Sequence, residues 1–237
     1  MKVAIIRYPG SNCDIETLRY FSDLGESFYI WHNESDITLL DNVGLLVLPG
    51  GFAFGDRLYD KATDSYTISP GTMALNSPVS DIIFEAVKKK IAIIGICNGF
   101  QILTETGLLK GVLLQNKNLK YLGKDVYIKI MSVDNKYCSK YKKDQVIKLN
   151  IAHNEGNYFT YPDHLKELED QNLIAFKYCN SNGNIDLENN PNGSINNIAG
   201  IFNNKKNILG MMPHPERMID QLISNTDGVN LFKSLLN

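Results

Sequence analysis

Long apolar runs are missing from this chain. No window approaches the roughly 20 residues needed to span a bilayer, and the apolar opening at residues 3–6 is far shorter than a secretory leader. The expectation is a cytoplasmic protein without a membrane anchor. Cysteine is scarce. The four thiols, Cys13, Cys97, Cys138 and Cys179, are widely separated and show no Cys-x-x-Cys spacing, which argues against a disulfide framework and against a zinc site. An excess of charge is lacking too, since 24 basic and 26 acidic residues leave a formal net charge of −2. Such a balance gives no field to attract polyanions, so nucleic acid is not an expected partner. The Gly-x-x-x-x-Gly-Lys phosphate loop is absent, as is any recognisable ATP-grasp, so the chain is not equipped to spend ATP itself.

What is present is alternation. Of the 237 residues 43% are hydrophobic, enough for a sizeable core, and α/β folds of this length often form one domain. Residues 1–237 are therefore expected to form a single domain. Apolar runs at 3–6, 28–31, 45–48 and 91–96 alternate with helical patterns at 14–24, 79–89 and 100–109. Leucine and β-branched runs divided by helices predict an α/β fold, a mainly parallel twisted sheet with helices on both faces and its site at the strands' C-terminal edge. In the second half, 125–131, 146–151, 173–178 and 198–202 read as additional mixed or antiparallel strands, with Asn182-Gly183 able to close a hairpin. The asparagine-rich stretch 180–207 reads as a run of turns rather than a binding surface.

Cys97 stands out within this pattern. It follows the apolar run 91–96 and is flanked by Gly95 and Gly99, after which Phe100 and Gln101 begin a helical pattern. A strand that must turn sharply into a helix needs residues without a Cβ at the crest, and the residue between them is lifted to the strand's edge. There it faces the first N–H groups of the helix, whose partial positive charge favours thiolate. This pattern predicts a nucleophile.

A cysteine nucleophile needs an imidazole to take its proton and a carboxylate to orient that imidazole. His214 and Glu216 follow another apolar run, 208–212, on a chain stiffened by Pro213 and Pro215. They supply the base and its orienter. A third apolar run ends in Gly50 and Gly51, where a double glycine lets backbone N–H groups turn into a cleft. The amide of Gly51 or Phe52, acting with that of Asn98, is the expected oxyanion hole, each donor worth roughly 3 kcal/mol to an acyl-transfer transition state.

The Gly50-Gly51 turn, the segment from Gly95 to Gln101 and His214-Pro215-Glu216 resemble the class I (triad) glutamine amidotransferases, whose fold is flavodoxin-like, in the order that family shows. Four stretches are similar, more narrowly, to the glutaminase subunits of phosphoribosylformylglycinamidine synthase: Pro9-Gly10-Ser11-Asn12-Cys13-Asp14; Leu48-Pro49-Gly50-Gly51-Phe52 with Gly55-Asp56; Ile151 through Tyr158; and Asn190-Pro191-Asn192-Gly193-Ser194 through Gly210 to Arg217. Two departures accompany the likeness. Asn154 stands where the family commonly has glycine, and residues 57–78 form a longer, more irregular segment.

The resemblance implies that Cys97 attacks the side-chain amide of glutamine, that His214 protonates the departing ammonia, and that water hydrolyses the resulting thioester. It implies that Gln101 holds the substrate. His153, Glu155, Gly156 and Tyr158 either position glutamine or meet a partner, and Asn12 and Asp14 are as well explained as turn and helix-cap residues. No cofactor or metal is expected in this chain. A large synthase subunit would bind ATP, Mg²⁺ and phosphoribosylformylglycinamide and receive the ammonia, with a small bridging subunit as a further candidate partner. Other readings on the same residues are a stand-alone γ-glutamyl hydrolase, the amidotransferase subunit of another synthase, and a non-catalytic binding subunit.

Overall fold

A computed structural model describes residues 1–22, 25–53 and 69–235. The chain divides into two compact units, Met1–Gly107 and Leu108–Asn237.

The first unit is built on parallel strands. β1 (Lys2–Arg7), β2 (Ser27–Trp31), β3 (Val43–Leu48) and β4 (Ala92–Ile96) stand in the order β2-β1-β3-β4, and each neighbouring pair is parallel. β4 is buried along its whole length and β1 and β3 nearly so, as continuous Ile, Leu and Val runs require when both faces of a strand are covered. α1 (Asp14–Ser22) packs on β1 and β2, α3 (Val79–Lys88) on β4, and α4 (Asn98–Glu105) on β3 and β4, while α2 (Pro70–Leu75) leans on α4. α3 buries Val79, Ile82, Ile83 and Ala86, the one-sided stripe expected of 3.6-residue periodicity. α2 starts on a Ser69 cap with Pro70 in its first turn. The Gly71 amide then donates to Glu105 Oε2 at 2.7 Å, tying the start of α2 to the end of α4.

The second unit is antiparallel. β6 (Leu122–Ile130), β7 (Val146–His153), β9 (Ile174–Cys179), β10 (Ile198–Phe202) and β11 (Ile208–Met211) run in the order β11-β10-β9-β6-β7. β5 (Val112–Leu114) and β8 (Asn157–Phe159) make a separate small antiparallel pair. α5 (Pro162–Asp170) and α6 (Val229–Leu235) complete it. β7 alternates half-buried and buried residues along all eight positions, the period of two that a strand with one covered face shows.

The fold is thus α/β, with a parallel sheet first and additional strands afterwards. Asn182-Gly183 forms a tight turn in which Asn180 Oδ1 caps the amides of Asn182 and Asn184 at 2.9 Å. It joins no two strands directly, because β10, the sequence-adjacent partner of β9, begins only at Ile198. The turn chemistry is as expected and the hairpin is not formed. Among the described residues no helix is long and apolar enough to cross a membrane. Gly55, Asp56 and residues 57–68 of the irregular segment lie outside the described residues.

Candidate active site

In the first unit, three strand ends converge on one edge of the parallel sheet. β4 runs into Cys97, which adopts φ 50° and ψ −103° before α4 begins at Asn98. A left-handed φ on a residue with a Cβ costs of order 1–3 kcal/mol and persists only where its surroundings impose it. The two flanking glycines show the imposition. A Cβ on Gly95 would stand 2.6 Å from the Gly99 carbonyl oxygen, and a Cβ on Gly99 would fall on the Leu48 carbonyl oxygen. Strand and helix are pressed together so closely that only hydrogen fits at both positions. Cys97 crowns the turn but is not open to solvent, at 5% exposure.

Asn98 and Gln101 occupy the first turn of α4 and are both buried. The Asn98 side chain accepts from the Ala53 amide at 3.2 Å and donates through Nδ2 to Gln101 Oε1 at 3.0 Å. Gln101 is therefore not a surface glutamine. Its carboxamide is oriented by Asn98, which in turn fixes the loop after β3. The first amides of α4, that of Asn98 included, have no intrahelical acceptor by construction, as at every helix start.

Gly51 sits at φ 137°, and a Cβ there would meet the Asn12 nitrogen at 2.7 Å and the Ser11 Cα at 2.9 Å. The loop after β3 thus lies against the loop after β1, with the Cys13 amide reaching the Gly50 carbonyl at 3.4 Å. Phe52 is corrected as an oxyanion donor. Its amide is already spent on the Gly10 carbonyl at 2.9 Å, so the Gly51 amide is the one left of the pair. Asp14 is buried and ion-paired to Arg7 Nε at 2.7 Å, with the guanidinium lying over the Tyr29 and Trp31 rings. That makes Asp14 a structural anchor of α1. Asn12 Oδ1 accepts from the Cys13 thiol at 3.3 Å.

In the second unit, the chain leaving β11 carries His214 and Glu216. His214 Nδ1 and Glu216 Oε1 are 2.6 Å apart, with both residues buried. The His214 amide donates to the Asn150 carbonyl on β7 at 2.8 Å, and Arg217 Nη1 to the Asn150 side chain at 3.0 Å. Pro215 opens a short 3₁₀ turn, 215–217, against which Gly228 packs so closely that a Cβ would fall on the Pro215 carbonyl oxygen. Nδ1 is committed to the carboxylate, which leaves Nε2 as the other ring nitrogen. Nε2 is buried and has no hydrogen-bond partner among the described residues.

The likeness around residues 151–158 and 190–194 resolves into one network. Ser194 Oγ accepts from the Tyr158 amide at 3.1 Å and donates to the Gly156 carbonyl at 3.2 Å, and Asn192 Nδ2 donates to that same carbonyl at 2.7 Å. The hub was not legible in the sequence. Asn116, fully buried, donates to the carbonyls of Lys120 and His153 at 2.8 and 2.9 Å and accepts from the Gly156 amide at 3.1 Å. Its own amide donates to the Asn154 carbonyl at 2.9 Å. Asn116 sits in a polar stretch where no spacing rule distinguishes it from its neighbours. His153 is buried beside this hub, and burial, then the proximity of His214, pushes its pKa down to about 3.

Comparison with known proteins fits these motifs. A family model described as the CobB/CobQ-like glutamine amidotransferase domain matches residues 1–231. The chain is 44% identical over 238 residues to the phosphoribosylformylglycinamidine synthase subunit PurQ of Pelagibacter ubique, covering 100% of this chain and 99% of that one. It is 43% identical to the subunit of the same name from Pseudothermotoga lettingae, covering 99% and 94%. Among solved structures it superimposes on a chain of PurLQS from Thermotoga maritima with a TM-score of 0.82 and 34% identity, covering 100% of this chain and 97% of that chain.

Proposed function

From the premise that this chain belongs to the CobB/CobQ-like glutamine amidotransferase family, we propose that it is the glutaminase subunit of a phosphoribosylformylglycinamidine synthase. The observation that carries the assignment is the end-to-end match, at 43–44% identity, to subunits bearing that name. A shared catalytic motif alone would leave most of the chain unmatched. The fold is that of the class I glutamine amidotransferases.

The chemistry follows from the residues. Cys97 attacks the γ-carbonyl of glutamine, the amides of Gly51 and Asn98 receive the oxyanion, and Gln101 holds the substrate. His214, kept in one tautomer by Glu216, gives its proton to the departing ammonia. Water then hydrolyses the thioester to glutamate. The strained Cys97 turn and the buried His214–Glu216 pair support this division of labour, because each is costly to hold in a folded chain. Residues 1–237 act as one amidotransferase domain, a reading supported by a family match that crosses both compact units.

The partner is the large synthase subunit, which converts phosphoribosylformylglycinamide to phosphoribosylformylglycinamidine in de novo purine synthesis. ATP and Mg²⁺ belong to that subunit and no cofactor to this one. A small third subunit bridges the complex, a reading supported by the name of the PurLQS assembly. The complex works in the cytoplasm, where thiols stay reduced, and none of the four cysteines here is in a disulfide. The test compares glutamine with ammonia as nitrogen source for the cognate synthase subunit and ATP, with and without this chain. Glutamine should work only when the chain is added, whereas ammonia should work without it. Ammonia working while glutamine never does would refute the assignment.

A further inference from the structure

His153 has no role in the steps proposed above, yet its setting is costly. It closes β7 at 3% exposure, and both ring nitrogens are buried without a hydrogen-bond partner among the described residues. A neutral imidazole carries one N–H donor and one lone pair, and each such group left buried and unpaired is destabilising. Native interiors seldom tolerate this without a functional reason.

The ring is held in place rather than left to turn toward water. Gly156 lies against it, so close that a Cβ there would fall on the imidazole. The His153 carbonyl and the Gly156 amide are both bound by Asn116, at 2.9 and 3.1 Å, so one buried side chain grips both ends of the loop. The same strand holds His214, through the Asn150 carbonyl three residues before His153. The two imidazoles are close enough that charge on His214 disfavours charge on His153, which stays neutral across the working range. With His214 Nδ1 bound to Glu216, His214 Nε2 and the two nitrogens of His153 have no hydrogen-bond partner among the described residues of this unit.

Three unpaired nitrogens on two coupled rings suit a small molecule that both donates and accepts hydrogen bonds. Resting on the glutaminase reading, we propose that His153 is a further catalytic residue of thioester hydrolysis, holding together with His214 the water that cleaves the glutamyl thioester. The water gives one proton to His214 Nε2 as its oxygen bonds to the thioester carbon. Its other O–H points at the lone-pair nitrogen of His153, which aims the oxygen. The intermediate collapses, the C–S bond breaks, and His214 returns the proton to the Cys97 thiolate. Glutamate and free thiol are the products, and His153 ends as it began.

The experiment uses His153→Phe, which keeps a flat ring against Gly156 and removes both nitrogens, with His153→Gln as the polar control. The full-length chain, with its synthase subunit present, is mixed with glutamine and quenched at intervals. Intact mass reports the glutamyl adduct, and ammonia release reports turnover. In His153→Phe the adduct should form at the wild-type rate and then accumulate, with its hydrolysis slowed about 10-fold to 100-fold, and His153→Gln should recover part of the loss. Hydrolysis at the wild-type rate, or equal losses in adduct formation and hydrolysis, would overturn the proposal in favour of a packing role. A wild-type chain that releases no ammonia from glutamine would instead overturn the glutaminase reading beneath it.

Discussion

His214 Nδ1 meets Glu216 Oε1 at 2.6 Å, and neither residue is open to solvent. Two positions apart on an extended chain would place side chains on the same side without bringing them together. The 3₁₀ turn from Pro215 folds the carboxylate back onto the ring, and the bond from the His214 amide to Asn150 keeps the ring's own backbone from following. The pair is thus set by the proline as much as by the two residues that form it.

Glu216→Gln tests that relationship while conserving volume. A carboxamide can present its N–H₂ to Nδ1 and stabilise the tautomer that carries the proton on Nε2, which is useless as a base. Glutamine hydrolysis should fall about 10²–10⁴-fold in kcat, with ammonia-dependent synthesis by the complex unchanged. A loss confined to KM would point to substrate binding rather than to orientation of His214.

Strain at Cys97 makes a second, thermodynamic prediction. At φ 50° and ψ −103° any Cβ is penalised and a glycine is not. Cys97→Ala and Cys97→Gly should both abolish glutamine hydrolysis, yet Cys97→Gly should be the more stable by about 1 kcal/mol, read as a higher denaturant midpoint. Equal midpoints would mean that the turn is not strained in solution.

Gly99→Ala acts on the close approach of strand and helix. The added methyl would fall on the Leu48 carbonyl oxygen, a backbone atom at the end of β3 that cannot swing aside as a side chain can. Destabilisation of about 2–4 kcal/mol is expected, with activity lost even in whatever fraction stays folded, because the elbow must shift. The exposed Gly107, where a Cβ meets nothing within 4 Å, is the matched control for a positive-φ glycine in open space. Gly107→Ala should cost only the conformational penalty, about 1 kcal/mol, and leave activity intact.

What the sequence disclosed and what it hid divide along physical lines. The strands of the parallel sheet were legible because burial on both faces writes itself as unbroken Ile, Leu and Val, and their ends came within two residues of the expected places. The sharp turns that carry Cys97, His214 and Glu216 were legible because tight turns demand glycine and proline nearby. The short pair β5 and β8 was not, since three residues each are too few for any period to show. Phe52 was misassigned because the partner of a backbone amide depends on which loop lies opposite, here the Gly10 turn, and a single sequence does not carry that. Asn116 was missed for the same reason, its role being a set of contacts with residues up to 40 positions away.

Burial of His153 also predicts how stability responds to acid. Its pKa lies near 3 in the folded chain against an ordinary value of 6.5, because burial and then His214 disfavour the cation. Between those values the unfolded chain binds a proton that the folded chain refuses. Unfolding is therefore increasingly favoured as pH falls from about 6.5 toward 3, and the loss levels off below that, amounting to a few kcal/mol at about 1.4 kcal/mol per unit. Above pH 7 the group is neutral in both states and contributes no slope. His153→Phe removes this proton-binding site while leaving His214, Glu155 and Glu216 in place, so the difference between the two proteins isolates it. Denaturant midpoints measured at pH 7.5, 6, 5 and 4 should show the variant gaining on the wild type at each step down. Parallel curves would mean that His153 is charged, or exposed, in the folded protein, and the neutral ring that thioester hydrolysis calls for would be lost with it.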